Sequence, residues 1–334
     1  MNSYERYMRV IAGKSVDHLP RVPILMQYAA EYIGSNYGAF ASDYRVLVEA
    51  NAVCARDFDF DQLSAISDPY RETQGFGADI EFIPDGVPRC LAPPLQNTKD
   101  LSQLLKPNPL QSERMLDRVN AIREFKKNYD KQYSIMGWIE GPAAEAADLR
   151  TVNNFLLDLM LEETFVCELM DICVDVAIDF ALAQIEAGAD TIGIGDAIAS
   201  QVSPAVYERL IQPREKKMIH AIQKSGALVR LHICGDITHL LPGIADLNVD
   251  ILDVDHMVDM VHVRKVMGGN TVLSGNLDPV QGVKFGTPKS IQSAILETYE
   301  QVGNPYIVNA GCEIPSGTPI ENLQAFCKPV PFQK

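Results

Sequence analysis

The second half of the chain alternates short runs of β-branched and other apolar residues with longer stretches of helical periodicity. This alternation is typical of βα units that build a parallel sheet. The first half is less regular, but three more runs there have the composition of strands. Together these patterns predict eight strands, over 22–27, 62–67, 133–139, 190–195, 228–234, 250–255, 271–276 and 305–311.

Eight parallel strands with intervening helices predict an α/β fold of the (β/α)8 TIM-barrel type. The residues before the first strand predict an N-terminal helical extension. The long span between the second and third strands predicts an insertion over about 70–130, which includes a small hairpin over 78–95 that turns at Pro84-Asp85-Gly86. Because no internal repeat or Gly/Ser-rich linker divides the sequence, residues 1–334 are expected to form a single domain.

Three helices are predicted to begin where a hydroxyl residue precedes proline, at Ser203, Thr287 and Thr318. A Ser or Thr side chain caps the first amides of a helix, and proline is tolerated at the next position because its missing N–H would have no partner there. Glu321 is expected to complete a capping box with Thr318.

Composition and charge narrow the class of protein. The 334 residues include 29 Lys plus Arg against 44 Asp plus Glu, and the formal charge of −15 argues against a nucleic-acid partner. The longest stretch without these charged residues has 12 residues, whereas a membrane span needs about 20 apolar ones. The beginning of the sequence has no signal-peptide core. Seven scattered cysteines do not suggest a disulfide framework, so a cytoplasmic location without membrane contact is expected.

In a barrel of this type, active sites lie at the carboxyl ends of the strands. Polar side chains at these ends are therefore candidates for chemistry. Asp196 and Asn276 are predicted to orient a substrate as catalytic residues, with simple hydrogen bonding at the strand ends as the alternative role. The full set of strand-end candidates is Gln27, Asp68, Glu140, Asp196, His232, Cys234, Asp255, Asn276 and Cys312.

The tripeptide His232-Ile233-Cys234 is the most informative of these sequences. Residues two apart on a strand face the same way, with Cα atoms about 6.6 Å apart, so one metal ion can bind both. Zinc takes nitrogen and sulfur ligands of this kind. Cys312, at the end of the eighth strand, is predicted as the third ligand, and the preceding glycine allows close backbone approach. The fourth ligand is expected to be Asp255 or His256, or else the substrate.

This ligand set indicates a particular chemistry. Two thiolates and a neutral imidazole leave a Zn²⁺ site without net charge, which suits the binding of a substrate thiol better than the activation of water. A thiol held in its deprotonated form is nucleophilic. Alkyl transfer to sulfur is therefore predicted in preference to hydrolysis, which more often uses His and carboxylate ligands.

Several segments resemble the uroporphyrinogen decarboxylase superfamily, and the resemblance extends over nearly the whole chain. The pattern of His232, Cys234 and distal Cys312 is similar to its zinc-dependent, corrinoid-linked branch, typified by methylcobamide:coenzyme M methyltransferases. The resemblance implies a (β/α)8 barrel, zinc on these three residues, and methyl transfer between a corrinoid protein and a thiol. The matching segments are 9–23, 141–142, 188–204, 231–235, 274–279, 309–312, 315 and 318–319.

The sequence also departs from parts of that superfamily. Decarboxylases of the superfamily carry an arginine-rich stretch after the first strand, whereas residues 27–32 here contain no arginine. The cysteine pattern speaks against the branch that demethylates aromatic ethers. The expected partners are a corrinoid protein in trans, carrying the methylcobamide, and a small thiol such as coenzyme M or homocysteine. The alternatives are a metal-free decarboxylase-like lyase and a corrinoid-protein docking module with a degenerate site.

Overall fold

A computed structural model describes residues 1–333. The strands in this part of the chain are β1 (Gln62–Ser64), β2 (Asp79–Glu81), β3 (Arg89–Ala92), β4 (Ser134–Glu140), β5 (Thr191–Gly195), β6 (Leu228–Ile233), β7 (Ile251–Val254), β8 (Val272–Ser274) and β9 (Tyr306–Ile307). Seven of them form one parallel sheet in the order β1-β4-β5-β6-β7-β8-β9. The curled sheet with its surrounding helices is the predicted (β/α)8 TIM barrel.

The barrel is closed by an extended segment at Pro20–Val22, which lies between β9 and β1. The Val308 N–H donates to the Pro20 carbonyl and the Val22 N–H donates to the Val308 carbonyl, both at 2.9 Å. On the other side, the Asp61 N–H donates to the Arg21 carbonyl at 2.8 Å. These bonds connect the two edges of the sheet, so the segment takes the place of an eighth strand.

The predicted first strand over 22–27 is wrong in its extent. Pairing is limited to one parallel bridge between Arg21 and Val308, and Gln27 already begins a helix. Prolines at positions 20 and 23 explain the short pairing, because proline has no N–H to donate to a neighbouring strand.

The predicted insertion lies between β1 and β4. Its hairpin is confirmed: β2 and β3 pair antiparallel, with Ile80 opposite Cys90, and a turn occupies 84–86. The hairpin lies over the barrel mouth. The Tyr37 N–H donates to the Pro84 carbonyl in the hairpin turn at 2.8 Å, and Val87 lines a cavity that opens at the carboxyl ends of the strands.

The α-helices surround the barrel and fill the insertion. They are α1 (Ser3–Ile11), α2 (Gln27–Tyr32), α3 (Tyr37–Ser42), α4 (Tyr44–Phe58), α5 (Arg71–Gly75), α6 (Glu113–Tyr129), α7 (Pro142–Arg150), α8 (Val152–Leu161), α9 (Glu163–Ala187), α10 (Pro204–Val206), α11 (Gln212–Lys224), α12 (Leu241–Ala245), α13 (Met260–Met267), α14 (Pro288–Val302) and α15 (Ile320–Phe326). None of the helices in residues 1–333 is both long and apolar enough to cross a membrane.

Two of the three predicted helix starts are confirmed. The Ser203 side chain accepts from the Val206 N–H at the start of α10, and Thr287 forms a capping box with Ser290 at α14. The prediction at Thr318 is wrong, because α15 begins one residue later than expected and its N-cap position falls on Pro319, which has no side-chain acceptor. The Thr318 hydroxyl instead donates to the Pro315 carbonyl at 2.7 Å.

The barrel interior contains a buried polar layer beneath the mouth. Arg230 on β6 donates to Asp253 on β7 at 2.9 Å and to Gln62 on β1 at 3.2 Å. These three side chains meet inside the barrel, because β1 and β7 lie on opposite sides of β6 in the sheet. Arg230 is two residues before His232, so the alternation of the strand points both side chains inward.

Candidate metal centre

Three predicted metal ligands meet at the carboxyl end of the barrel. His232 lies near the end of β6, Cys234 follows that strand, and Cys312 follows β9. His232 Nε2 is 2.9 Å from Cys234 Sγ, and the two sulfur atoms are 3.8 Å apart. One ligand atom from each residue lies within 4.8 Å of the others. One nitrogen and two sulfur donors at these separations fit a zinc ion.

The backbone at Gly311 brings Cys312 into this cluster. A Cβ at that position would lie 2.4 Å from the backbone nitrogen of His256, which is closer than real Cβ contacts. Only glycine therefore allows the chain after β9 to pass this close to the chain after β7. The sequence-based expectation of a close backbone approach at Gly311 is confirmed.

Asp253 supports His232 from inside the barrel. Its Oδ2 lies 3.1 Å from His232 Nδ1, and its Oδ1 accepts from the Asn309 side chain at 2.9 Å. Burial opposes ionisation of this carboxyl, but Arg230 and His232 outweigh it and hold the pKa of Asp253 below its usual range. A carboxylate at Nδ1 orients the ring and leaves Nε2 facing the two sulfur atoms.

The two thiols differ strongly in how readily each loses its proton. The hydrogen bond from Cys234 and the neighbouring His232 lower the pKa of Cys312 to about 4, against the effect of burial. Cys312 and burial raise the pKa of Cys234. The pair thus offers a thiolate at neutral pH, which is the form that binds a metal.

Asp255 lies outside the cluster of possible ligand atoms. Its Oδ2 accepts from the Gly235 N–H at 2.9 Å and its Oδ1 accepts from the Met257 N–H at 3.1 Å. The Asp255 Oδ1 is also 2.8 Å from His256 Nδ1. The carboxylate thus ties the loop after β6 to the loop after β7, and the structure brings neither Asp255 nor His256 to the three ligands.

Neither predicted catalytic residue lines the central cavity. The Asn276 amide donates to the carbonyls of Asp255 at 3.1 Å and Val258 at 2.7 Å. Asp196 is fully buried and accepts from the N–H groups of Ala144 at 2.7 Å and Ala143 at 3.4 Å, in the first turn of α7. These hydrogen bonds to the backbone are of the kind expected for the alternative role, and the Asp196 side chain also contacts Glu215.

Burial has the largest effect on the pKa of Asp196. It raises the pKa of this carboxyl to about 7, although the amides of Ala144 and Ala143 favour the charged form. Burial and the Asp196 charge also raise the pKa of Glu215, which accepts from the Tyr207 hydroxyl at 2.5 Å. Asp196 and Glu215 therefore form a buried carboxyl pair behind the site.

A cavity of about 230 Å³ opens beside the three ligands. Trp138 forms part of its wall, with its ring centroid 6.5 Å from that of His232. The wall is largely apolar, but it also includes four charged side chains. The cavity is lined by His232, Cys234 and Cys312, by the charged residues Asp68, Arg71, Glu140 and Glu313, and by Ile24, Met26, Tyr37, Ile66, Ser67, Pro69, Val87, Trp138, Gly195 and Ala197.

Arginines compensate two of these acids. Arg71 donates to Glu140 at 2.6 Å and lies 3.6 Å from Glu72, and Arg114 forms a short ion pair with Asp68. Burial raises the pKa of Glu140 to about 8 despite the charge of Arg71.

Glu313 has a different environment. Its Oε1 accepts from the Gln27 N–H at 2.9 Å, and burial raises its pKa to about 7. Gln27 belongs to α2 and does not line the cavity. Of the strand-end candidates in the first half of the chain, only Asp68 and Glu140 line it.

The sequence patterns did not point to Asp253, Arg71 or Glu313. Asp253 could have been found from alternation along β7, because it precedes the strand-end candidate Asp255 by two residues. Glu313 is in a loop, where side chains have no fixed periodicity, and Arg71 begins α5, which has only five residues. No sequence pattern therefore indicates that they face the cavity.

Comparisons with known proteins agree with the fold and show the family. The chain is 29 % identical over 330 residues to Methylcobamide:CoM methyltransferase MtbA of Methanosarcina mazei, covering 96 % of this chain and 95 % of that relative. It is 26 % identical over 341 residues to Uroporphyrinogen decarboxylase of Trichodesmium erythraeum, covering 96 % and 94 %. A solved structure of a methyltransferase from Methanosarcina mazei has the same fold, with a TM-score of 0.89 at 22 % identity, covering 98 % of this chain and 97 % of that one. The family model for uroporphyrinogen decarboxylase (URO-D) matches residues 2–331, and the chain therefore belongs to the uroporphyrinogen decarboxylase family.

Proposed function

We propose that this protein is a zinc-dependent methyltransferase that moves a methyl group from a methylated corrinoid protein to a small thiol. The observation that carries the proposal is the cluster of His232, Cys234 and Cys312 at the floor of the cavity. The name of the relative from Methanosarcina mazei supports the same reaction and makes coenzyme M one candidate acceptor.

His232, Cys234 and Cys312 would hold the zinc ion. Three protein ligands leave one tetrahedral position for another group, as in catalytic zinc sites. A zinc ion bound there would keep a substrate sulfur deprotonated at neutral pH. Asp253 keeps the His232 ring in the orientation that this requires, and Asp255 holds the loop that follows Cys234.

The cavity wall would place the acceptor for in-line attack. The sulfur lone pair forms a bond to the methyl carbon, while the carbon–cobalt bond breaks and its electron pair remains on cobalt as Co(I). The methylcobamide would be presented at the mouth by a separate protein. Trp138 and the other apolar wall residues exclude water from the reacting atoms.

We place this reaction in the cytoplasm. All seven cysteines are free thiols, and a reducing compartment keeps two of them available as ligands.

The first experiment combines metal analysis with a methyl-transfer assay. Protein purified without added metal is expected to contain about one zinc per chain and to demethylate free methylcobalamin in the presence of a thiol. His232→Ala is expected to lose both zinc and activity. His220→Ala, which removes an exposed imidazole from α11, is the matched control and should retain both.

Any other result would favour a different function or a different set of ligands. Absence of zinc after reconstitution under reducing conditions would overturn the transferase proposal and favour a metal-free decarboxylase-like lyase. Bound zinc without any demethylation of the corrinoid would favour a docking module with a degenerate site. Unchanged zinc content and activity in His232→Ala would show that the assigned ligands are wrong.

A further inference from the structure

Glu313 places a carboxyl group beside the metal ligands without a cationic partner. It follows Cys312 directly and lines the same cavity. In residues 1–333, no Lys, Arg or His nitrogen forms an ion pair with it within 4.0 Å. Its partners are backbone amides: its Oε1 accepts from the Gln27 N–H at 2.9 Å, and the Met26 N–H also hydrogen-bonds the carboxyl group, so the charge of Glu313 is not neutralised by a side chain.

The other charges around the cavity do not balance Glu313. Arg71 is the one arginine in the wall, and it already faces Glu140 at 2.6 Å and Glu72 at 3.6 Å. Arg114 is occupied by Asp68. Neither guanidinium group is therefore paired with Glu313, and two thiolates with a neutral imidazole would cancel the charge of a zinc ion.

A partly buried carboxylate is costly when no opposite charge accompanies it. A ligand that brings a cationic group to Glu313 would relieve this cost, whereas a ligand with an anionic group would be repelled. Because Cys312 and Glu313 are consecutive, a short thiol with its sulfur at the metal ligands can extend its other end along the wall to Glu313.

We infer that Glu313 makes this site selective for a small thiol that carries a cationic group, such as an aminothiol, over thiols that carry an anionic group. The inference rests on the proposed function and deepens it, because it assigns the chemical class of the acceptor. Glu313 acts as a specificity-determining residue, since its carboxylate would contact the acceptor rather than the reacting methyl group.

Three thiols with the same two-carbon spacing test the inference: 2-aminoethanethiol, 2-mercaptoethanol and 2-mercaptoethanesulfonate. The zinc-loaded protein is assayed with free methylcobalamin at one fixed pH, and KM and kcat are measured for each thiol. Binding of each thiol is also measured by calorimetry without a methyl donor. The aminothiol is expected to have the lowest KM and Kd and the sulfonate the highest, differing by on the order of tenfold or more.

Glu313→Gln retains an oxygen that can accept from the Gln27 N–H but removes the charge. We expect this variant to lose the advantage of the aminothiol while its zinc content and melting temperature stay unchanged. Because the same thiols are compared in both proteins, their intrinsic reactivities cancel. Glu31→Gln is the matched control: it removes an exposed charge that binds Ser316 near the mouth, and it should keep the wild-type order.

The outcomes separate the two proposals. Preference for the sulfonate in the wild-type protein, or an unchanged order in Glu313→Gln, would overturn the selectivity and point to Arg71 as the group facing the acceptor. If no thiol is methylated by the zinc-loaded protein, the proposed function fails. In that case, the order of the three Kd values measured by calorimetry still shows whether the site prefers a cationic thiol.

Discussion

At the scale of single residues, the surroundings of His232 determine what the site can bind. One ring nitrogen is 2.9 Å from the Cys234 sulfur, and the other is 3.1 Å from Asp253. A carboxylate at one nitrogen favours the tautomer in which the opposite nitrogen is free to bind a metal. The affinity of the site for zinc should therefore depend on Asp253, which is not itself a ligand.

Asp253→Asn tests this dependence. The amide has nearly the same shape but lacks the charge that orients His232, so zinc affinity is expected to fall by roughly 10- to 100-fold. Competition with a chromophoric chelator measures the change. The variant also leaves Arg230 without its buried partner, so its free energy of unfolding is measured separately and is expected to decrease.

Asp236→Asn provides the comparison for this variant. Asp236 lies two residues after Cys234, but its side chain is exposed and accepts from the Thr238 N–H. Its substitution should leave zinc affinity unchanged. Equal affinities for the wild-type protein and Asp253→Asn would show that Asp253 stabilises the barrel without acting on the metal site.

Individual site residues could be predicted from the sequence where the backbone around them is regular. His232 and Cys234 could be predicted because alternation along a strand fixes which way they point, and Cys312 because the ends of parallel strands share one face of the barrel. Asp255 was expected among the ligands, but its carboxylate accepts from the N–H groups of Gly235 and Met257, contacts that spacing along the strand does not reveal. Glu313 lies in a loop of irregular conformation, where sequence spacing carries no directional information.

At the scale of secondary-structure elements, Asp196 connects β5 to α7. It follows the strand directly, and its carboxylate accepts from amides in the first turn of the helix. Gly141 allows this approach, because a Cβ there would overlap the Asp196 side chain. The N–H groups at a helix start need acceptors, and the Asp196 oxygens supply them, so Asp196 is placed to fix α7 against the sheet.

Asp196→Asn is expected to change how stability depends on pH. Folding raises the pKa of Asp196 from its usual value near 3.8 to about 7. Between these values the folded protein holds a proton that the unfolded chain has lost, so this carboxyl makes the wild-type protein less stable as pH rises. The asparagine variant lacks this loss. The difference in free energy of unfolding between the variant and the wild-type protein should therefore grow in favour of the variant, by up to a few kcal/mol, as pH rises from about 4 to about 7.

Urea denaturation of the metal-free proteins across this pH range measures the difference, and removal of zinc avoids a contribution from proton-linked metal binding. Glu300→Gln, an exposed substitution on α14, should show no such trend. A constant difference between Asp196→Asn and wild type would contradict the expected titration. A fall in kcat of about 100-fold without a change in stability would instead support the prediction that Asp196 is catalytic.

Elements were predictable where periodicity was strong and local chemistry did not compete. The strands β4 to β7 follow the apolar runs closely, whereas β8 and β9 are shorter than the predicted strands over 271–276 and 305–311. Ser203 and Thr287 begin helices as expected. The first strand is shorter than its apolar residues suggest because two prolines remove donors from the pairing edge. Thr318 fails as a cap because α15 begins at Ile320, so that Pro319 occupies the N-cap position, and sequence patterns place helix boundaries only to within a residue or two.

At the scale of the whole molecule, the ligand cluster joins distant parts of the barrel. Cys234 and Cys312 are 78 residues apart in the chain, and Cys312 follows β9, the strand that meets the closing segment at Pro20–Val22. Metal binding at this point would therefore stabilise the closed barrel as well as the cavity. If the chain is a single domain, as expected, it unfolds as one cooperative unit, and zinc binding would stabilise the whole of it.

Zinc is accordingly expected to raise the melting temperature of the protein in a single transition. A ligand that binds only the folded state adds stability that grows with its concentration, by about 4 kcal/mol at 1,000 times its Kd. Calorimetry of chelator-treated and zinc-reloaded protein measures the shift. Cys312→Ser should abolish it, whereas Cys90→Ser, which changes a thiol in the hairpin outside the cluster, should retain it. A zinc-dependent shift that survives in Cys312→Ser would mean that the stabilising metal binds elsewhere, and two separate transitions in the wild-type protein would contradict the single domain.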